Sequence, residues 1–424
     1  MHLERVLIVV EQRIRPDGTY PGFDIRHMEG PLECSGIVEN IDVFYYNDYT
    51  PNSDDALLNY CLEKKPQAVL LSLQNIGMQG SCLGRGPTPD AIREITHQLR
   101  IGTVAFWFDI HSDRTAGILE RYLHSVVLNV FLGADASSHK VLPLQNTNYA
   151  YAGLTFDERL FSRTDGPRDI PVGFLGSQWC GRSQWISSLA ETGIPVCTSS
   201  GTIVGGRRSF LASDNVPRVW ITYEEYLEFM SRLRIALNFS YLHGGAPFRW
   251  GLSSINRERH WETAFWLALQ ARGWLRAVAK NPAKVKLVVP ILKVSRGYMA
   301  SKPRYMVRAR VWEALWCRTF LLEQDNPVTR KYFQPYVDYV PFTKLKDLVD
   351  KIRYYLENEE ERDRIRIQGR ATVEKYYGAR IYWENLFETI GLGSGRRKHY
   401  HSGELWNKAY FHNLYLKDNT QKDG

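Results

Sequence analysis

Short apolar runs punctuate the first third of the chain at 5–10, 41–45, 68–73, 103–108 and 126–131. Side chains that are apolar on consecutive positions predict strands buried on both faces. Helical stretches separate several of them, at 54–64 and at 89–99, the second opened by Thr88 as cap with Pro89 at the first helical position. That alternation predicts a parallel, doubly wound sheet, in which ligands lie beyond the carboxyl ends of the strands. Residues 148–171 carry turn residues and charge without strong periodicity and read as the linker to a second domain.

The second half repeats the pattern. A strand at 172–175 feeds a glycine-bearing turn, Gly176 to Arg182, and then a helix at 183–191. Thr222 and Glu225 form a capping box for a helix that ends at 231–234, and a strand at 235–240 follows. Val307, Val311, Ala314 and Leu315 recur at helical spacing, which puts Arg310 and Glu313 on a different side of a short helix. A strand at 319–323 is stopped by Asp325, Asn326 and Pro327, and 339–342 reads as another extended piece. Thr343 can cap the next helix, whose apolar stripe runs through Leu345, Leu348, Val349, Ile352, Tyr355 and Leu356. The last strong helix, 359–377, has acidic residues in its first turn, where the helix dipole favours them.

The order Arg-x-Trp-Glu-Ala-Leu, apolar strand, Tyr-Phe-x-Pro, then Asp-Leu-Val-x-Lys-Ile-x-Tyr-Tyr-Leu resembles the C-terminal half of GT-B glycosyltransferases. It is most similar to the CgeB-like branch among the group 1 and family 4 relatives, over about residues 170–240 and 305–390. The resemblance implies an α/β fold with two Rossmann-like domains facing each other across a cleft. Residues 1–165 would form the acceptor-side domain and 166–392 the nucleotide-sugar domain, with an insert at about 241–304 and a tail at 393–424. It also implies that Glu313 holds the ribose hydroxyls of a nucleoside diphosphate sugar. One carboxylate can accept from two vicinal hydroxyls, each such bond contributing roughly 1.5–3 kcal/mol. Family 4 relatives carry a second glutamate eight positions earlier, touching the transferred sugar; this chain has Tyr305 there. The nucleotide is therefore more firmly implied than the sugar.

Other candidates follow from the same frame. Gly176 and Ser177 open a turn whose backbone N–H groups suit an anion, and Arg182 adds a planar two-pronged donor. The resemblance assigns this loop to the diphosphate and sets Asn238 and Ser240 at the edge of the donor cleft. Structural polar residues at a strand end are the competing reading. Lys302, Arg304, Arg308 and Arg310 gather positive charge just before Glu313, beside a larger number of solvated cations. After the fourth strand come Asp109 and His111, where relatives place an acid, a base or a sugar contact. A loop whose Asp merely satisfies backbone donors explains the same residues. The insert contains a helical pattern at 257–280 whose apolar stripe ends in Arg272 and Arg276, readable as a core helix or as a peripheral membrane contact. Relatives send their last helix back over the first domain, which would suit the aromatics of the tail.

Charge divides unevenly: residues 1–164 hold 14 Lys and Arg against 20 Asp and Glu, while the remainder holds 40 against 26. The basic half is the one expected to meet a diphosphate, although a sequence pI near 9.0 also admits nucleic acid. No aromatic-and-basic repeat marks a nucleic-acid groove, so that partner is not expected. Six cysteines without paired spacing imply reduced thiols and no metal site. No stretch reaches the roughly 20 apolar residues that span a bilayer, and a cytosolic location is expected. The expected reaction is sugar transfer to a hydroxyl-bearing acceptor, with no cofactor beyond the nucleotide-sugar donor and no metal; the retaining family 4 resemblance favours retention. Epimerisation or hydrolysis of a nucleotide sugar, a binding module without turnover, and glycosylation of DNA are the alternatives.

Overall fold

Strand β1 (Leu3–Val10) shows how the chain builds its layers. Val6, Ile8 and Val10 enter one core while Leu7 and Val9 enter another, because successive side chains of a strand point to opposite faces. The computed structural model describes residues 1–11, 25–49, 52–73, 86–108, 113–134, 147–161, 166–176, 182–198, 201–203, 223–242 and 304–392. Within them the first half is a six-stranded sheet in the order β2-β1-β3-β4-β5-β6, parallel throughout. Its other strands are β2 (Val38–Tyr45), β3 (Ala68–Leu71), β4 (Gly102–Trp107), β5 (Leu128–Leu132) and β6 (Tyr149–Ala152). Thr88 caps the helix at Pro89 as expected, accepting from the Ala91 N–H at 3.3 Å.

Residues 149–152 are a strand rather than part of a linker. The sequence Tyr-Ala-Tyr-Ala has period two: Tyr149 and Tyr151 enter the outer core, and Ala150 and Ala152 enter the core shared with the second half. The second sheet runs β14-β13-β10-β7-β8-β9. These are β7 (Ile170–Phe174), β8 (Val196–Thr198), β9 (Gly201–Ile203), β10 (Leu233–Asn238), β13 (Phe320–Gln324) and β14 (Val340–Phe342); only β8 and β9 pair antiparallel. The ends of the insert meet in a short antiparallel pair, β11 (Tyr241–Leu242) with β12 (Arg304–Tyr305). The insert thus leaves and re-enters the domain at one place.

Thr343 does not cap the helix Leu345–Glu357. Lys344 holds the cap position without a side-chain bond, and Asp347 reaches back instead, accepting from the Thr343 N–H at 2.8 Å. A return to the first domain is also seen before the tail. It is made by the helix Ala379–Thr389 and the residues just after it: Trp383 meets Phe106 edge-on at 6.1 Å, and Ile390 and Leu392 rest on Gly102. The tail, 393–424, and the helical pattern at 257–280 lie outside the described residues.

Behind the cleft the halves share one apolar core. Trp312, buried in full, packs on Tyr332, Phe333 and Tyr377 at 5.5, 5.6 and 6.1 Å. Tyr332 donates its hydroxyl to the carbonyls of Ala134 and Ala152 in the first half. Gly133 follows β5 at φ +62°, and a Cβ there would overlap the Val307 carbonyl. That close approach lets the Val307 N–H donate to the Gly133 carbonyl at 2.7 Å, a main-chain bond across the domain boundary.

Candidate active site

The carboxyl ends of the two sheets face a cleft of about 330 Å³. From the first half come Arg26, Phe108, Leu132 and Leu154; from the second come Leu175, Gly176, Tyr226, Met306 to Arg310, and Glu313. Phe108 and Leu175 directly follow β4 and β7, and Leu132 ends β5, where a doubly wound sheet places its ligands. Among the described residues three arginines and one carboxylate line it, a balance that favours an anion.

Glu313 sits on the helix Ala309–Trp316, which is buried on nearly every side. Only a small part of Glu313 is open to the cleft: the residue is 4% exposed. The Tyr223 hydroxyl donates to Oε1 at 3.1 Å and the Tyr226 hydroxyl to Oε2 at 2.7 Å. Both phenols stand on the helix Tyr223–Arg232, and three residues apart is the spacing that brings two side chains onto one helix face. Their rings stack at 5.8 Å, and the Arg26 guanidinium lies over the Tyr223 ring at 4.7 Å. Burial, then the charge of Glu313, pushes both phenols well above the ordinary tyrosine range, so they remain donors. A carboxylate has about four acceptor positions, and the phenols use two. Two remain for a ligand with neighbouring hydroxyls.

Arg168 stitches the two helices together at their far ends. Its guanidinium donates to the carbonyls of Ser231 and Leu233 at 2.6 and 3.2 Å and of Cys317 at 3.3 Å. A cation is favourable at helix C-termini, and here one cation serves both.

Arg310, in the first turn of its helix, lies over the Phe174 ring at 4.7 Å and crosses Gly176. A Cβ at position 176 would overlap the guanidinium, and the backbone there has φ +134°, so only glycine admits this path. The Arg310 Nη1 donates to Asn238 Oδ1 at 2.7 Å. Asn238 Nδ2 in turn donates to Ser240 Oγ at 2.9 Å and to Glu323 Oε2 at 2.6 Å. Glu323 also accepts from Ser240 and from Thr329, the latter at 3.2 Å. Burial, partly offset by these donors, pushes Glu323 from 4.5 up to about 7.

Gly176, Arg308, Arg310 and Glu313 therefore meet at one cleft. Asn238 and Ser240 do not reach its edge; both are fully buried, one layer behind Arg310. Arg182 is turned inward, 7% exposed, with its guanidinium donating to the Phe239 carbonyl at 3.3 Å, and it does not line the cleft. Arg304 falls in β12, whereas Asp109, His111, Ser177 and Lys302 lie outside the described residues. Tyr223, Tyr226 and Glu323 were missed from the sequence, yet each left a signal. The phenols share an i, i+3 spacing, and Glu323 interrupts the apolar run Phe320-Leu-Leu. Arg26 left none, since tertiary packing alone carries it to the second domain.

Among the described residues no group of three or more His, Cys, Asp or Glu is arranged to hold a metal, and Cys34, Cys61 and Cys317 are free thiols. No described helix is long and apolar enough to cross a membrane.

Residues 252–388 match a family described as glycosyl transferase-like. No curated protein matches the chain. Two solved structures share its fold end to end at low identity. Anabaena HepE in complex with UDP and glucose is 11% identical with a TM-score of 0.50, covering 92% of this chain and 99% of that one. Sucrose-phosphate synthase from Thermosynechococcus elongatus is 8% identical with a TM-score of 0.50, covering 91% and 99%. The fold is GT-B: two parallel α/β domains with a cleft between the carboxyl ends of their sheets.

Proposed function

We propose that the protein is a glycosyltransferase that moves a sugar from a nucleoside diphosphate sugar to a hydroxyl-bearing acceptor, as a member of the CgeB-like branch of GT-B enzymes. The observation that carries this reading is the meeting of Arg26, Arg308 and Arg310 around one carboxylate, Glu313, whose two oxygens are already oriented by phenols. Glu313 receives the ribose hydroxyls. The arginines, with the uncapped N-terminus of the Glu313 helix, stabilise the charge that builds on the departing diphosphate. Protein cations supply that stabilisation without a metal, so transfer continues in the presence of a chelator. Asp109 and His111 follow β4, whose end reaches the cleft at Phe108, and are assigned to the acceptor side and its proton.

Uridine diphosphate, bound in the HepE structure of the same fold, is the first nucleotide to try. A ligand that binds only the folded form raises its melting temperature, by an increment equivalent to about 2.7 kcal/mol at 100 times its dissociation constant. A screen of nucleoside diphosphates and their sugars should give at least one such shift, abolished in Arg310→Ala. No shift with any of them removes the donor site. Product analysis with and without acceptor alcohols then separates transfer from hydrolysis or epimerisation.

A further inference from the structure

Asn238 and Glu323 are register partners at the carboxyl ends of adjacent parallel strands, β10 and β13, and both are fully buried. Neither residue suits its place on grounds of stability. Asparagine is depleted in strands, and a buried carboxylate with no cation bonded to it directly is costly to desolvate. The arrangement has a directional logic. Asn238 presents an amide with one accepting and one donating end. Glu323 and Ser240 both engage the donating end, so the accepting end can only face Arg310. A flipped amide would set Oδ1 against the Glu323 carboxylate and an NH₂ group against the guanidinium, a mismatch at both ends.

We propose that Glu323 is a positioning residue: through the Asn238 amide it holds the Arg310 guanidinium over Phe174 and Gly176, aimed at the diphosphate of the bound nucleotide. This rests on the donor reading of the cleft given above. Thr329 and Ser240 complete the set of donors that hold Glu323 itself, and the elevation of its carboxyl to about 7 reports how deeply it is enclosed. Arginine has many rotamers, and an anion site gains affinity when the cation is fixed before the ligand arrives.

The test is a double-mutant cycle read by calorimetric titration of the full chain with UDP and, separately, with inorganic pyrophosphate. Glu323→Leu should weaken UDP by about 10-fold when Arg310 is present and by less than about 2-fold in an Arg310→Ala background. Glu323→Gln, which still accepts from Asn238, should recover most of the loss, and in turnover Glu323→Leu should raise the donor KM and lower kcat, since Arg310 also meets the departing diphosphate, with neither change in the Arg310→Ala background. Equal fold-losses in both backgrounds, or no loss with Glu323→Leu while Arg310→Ala is impaired, overturn the positioning role and leave the cleft reading intact. If Arg310→Ala binds both probes like the parent, the cleft reading itself falls and the positioning role with it. Should Glu323→Leu fail to fold, Asn238→Ala is carried through the same cycle under the same criteria.

Discussion

Glu313 is held by Tyr223 and Tyr226 before any ligand arrives, which leaves its remaining acceptor positions fixed in direction. Glu313→Gln keeps one acceptor and loses the charge, so nucleotide affinity should fall by about 10-fold to 150-fold, equivalent to roughly 1.5–3 kcal/mol. Titration with UDP and with its 2′,3′-dideoxy analogue checks the assignment: the loss should vanish for the analogue, and an equal loss for both would detach Glu313 from the ribose. A second residue sets an acid limit. His27, beside Arg26, is buried against Phe156 with Nδ1 at 3.1 Å from the Thr155 carbonyl. Burial first, and the Arg26 charge second, push its imidazole from 6.5 down to about 3. The folded state therefore favours the neutral ring, while the unfolded chain takes up a proton below about pH 6.5. Stability from this group is present above that pH and drains away toward pH 3, on the order of 5 kcal/mol in all. Melting temperature against pH should flatten on the acid side in His27→Gln.

Two short helices carry the cleft's carboxylate and its phenols, and the cation that joins their ends is Arg168. Arg168→Met keeps length and apolar bulk but leaves the carbonyls of Ser231, Leu233 and Cys317 without that donor. It should cost about 1.5–3 kcal/mol in urea unfolding and weaken UDP binding without touching the ligand. An unchanged nucleotide affinity would show that the helix pair is set by packing alone. At this scale the sequence was most readable where a regular period meets a buried surface. The strands β1 to β5, the Thr88 cap and the helix around Glu313 were all legible, because apolar run length and turn residues report burial directly. The short β6 was hidden by its alanines and tyrosines, which have weak hydropathy contrast. The site was legible in part. The cations before Glu313 stand out in sequence, and Arg308 and Arg310 do reach the cleft. Arg182 looked equally suited to phosphate but turns inward, where it donates to the Phe239 carbonyl just past β10, a contact that no local motif encodes.

The halves differ in charge and look separable in sequence, yet their interiors are continuous. Trp312, Trp316 and Tyr377 from the second half, and Trp383 from the returning helix, occupy one core with Val6, Phe106 and Val130 of the first sheet. Removing Trp312 alone should cost about 3–5 kcal/mol, and because both domains lean on it, the melting transition should shift as one step rather than divide in two. Calorimetry resolving two transitions in the parent protein would contradict a shared interior. The Val307 N–H on the Gly133 carbonyl fixes the floor of the cleft to both sheets at once. Such a chain cannot be halved: residues 1–165 and 166–392 made separately would each bare a wall of aromatic side chains to water. A half taken from another protein of this fold would have to bring a matching wall with it, whereas the loops above the floor can change without disturbing it.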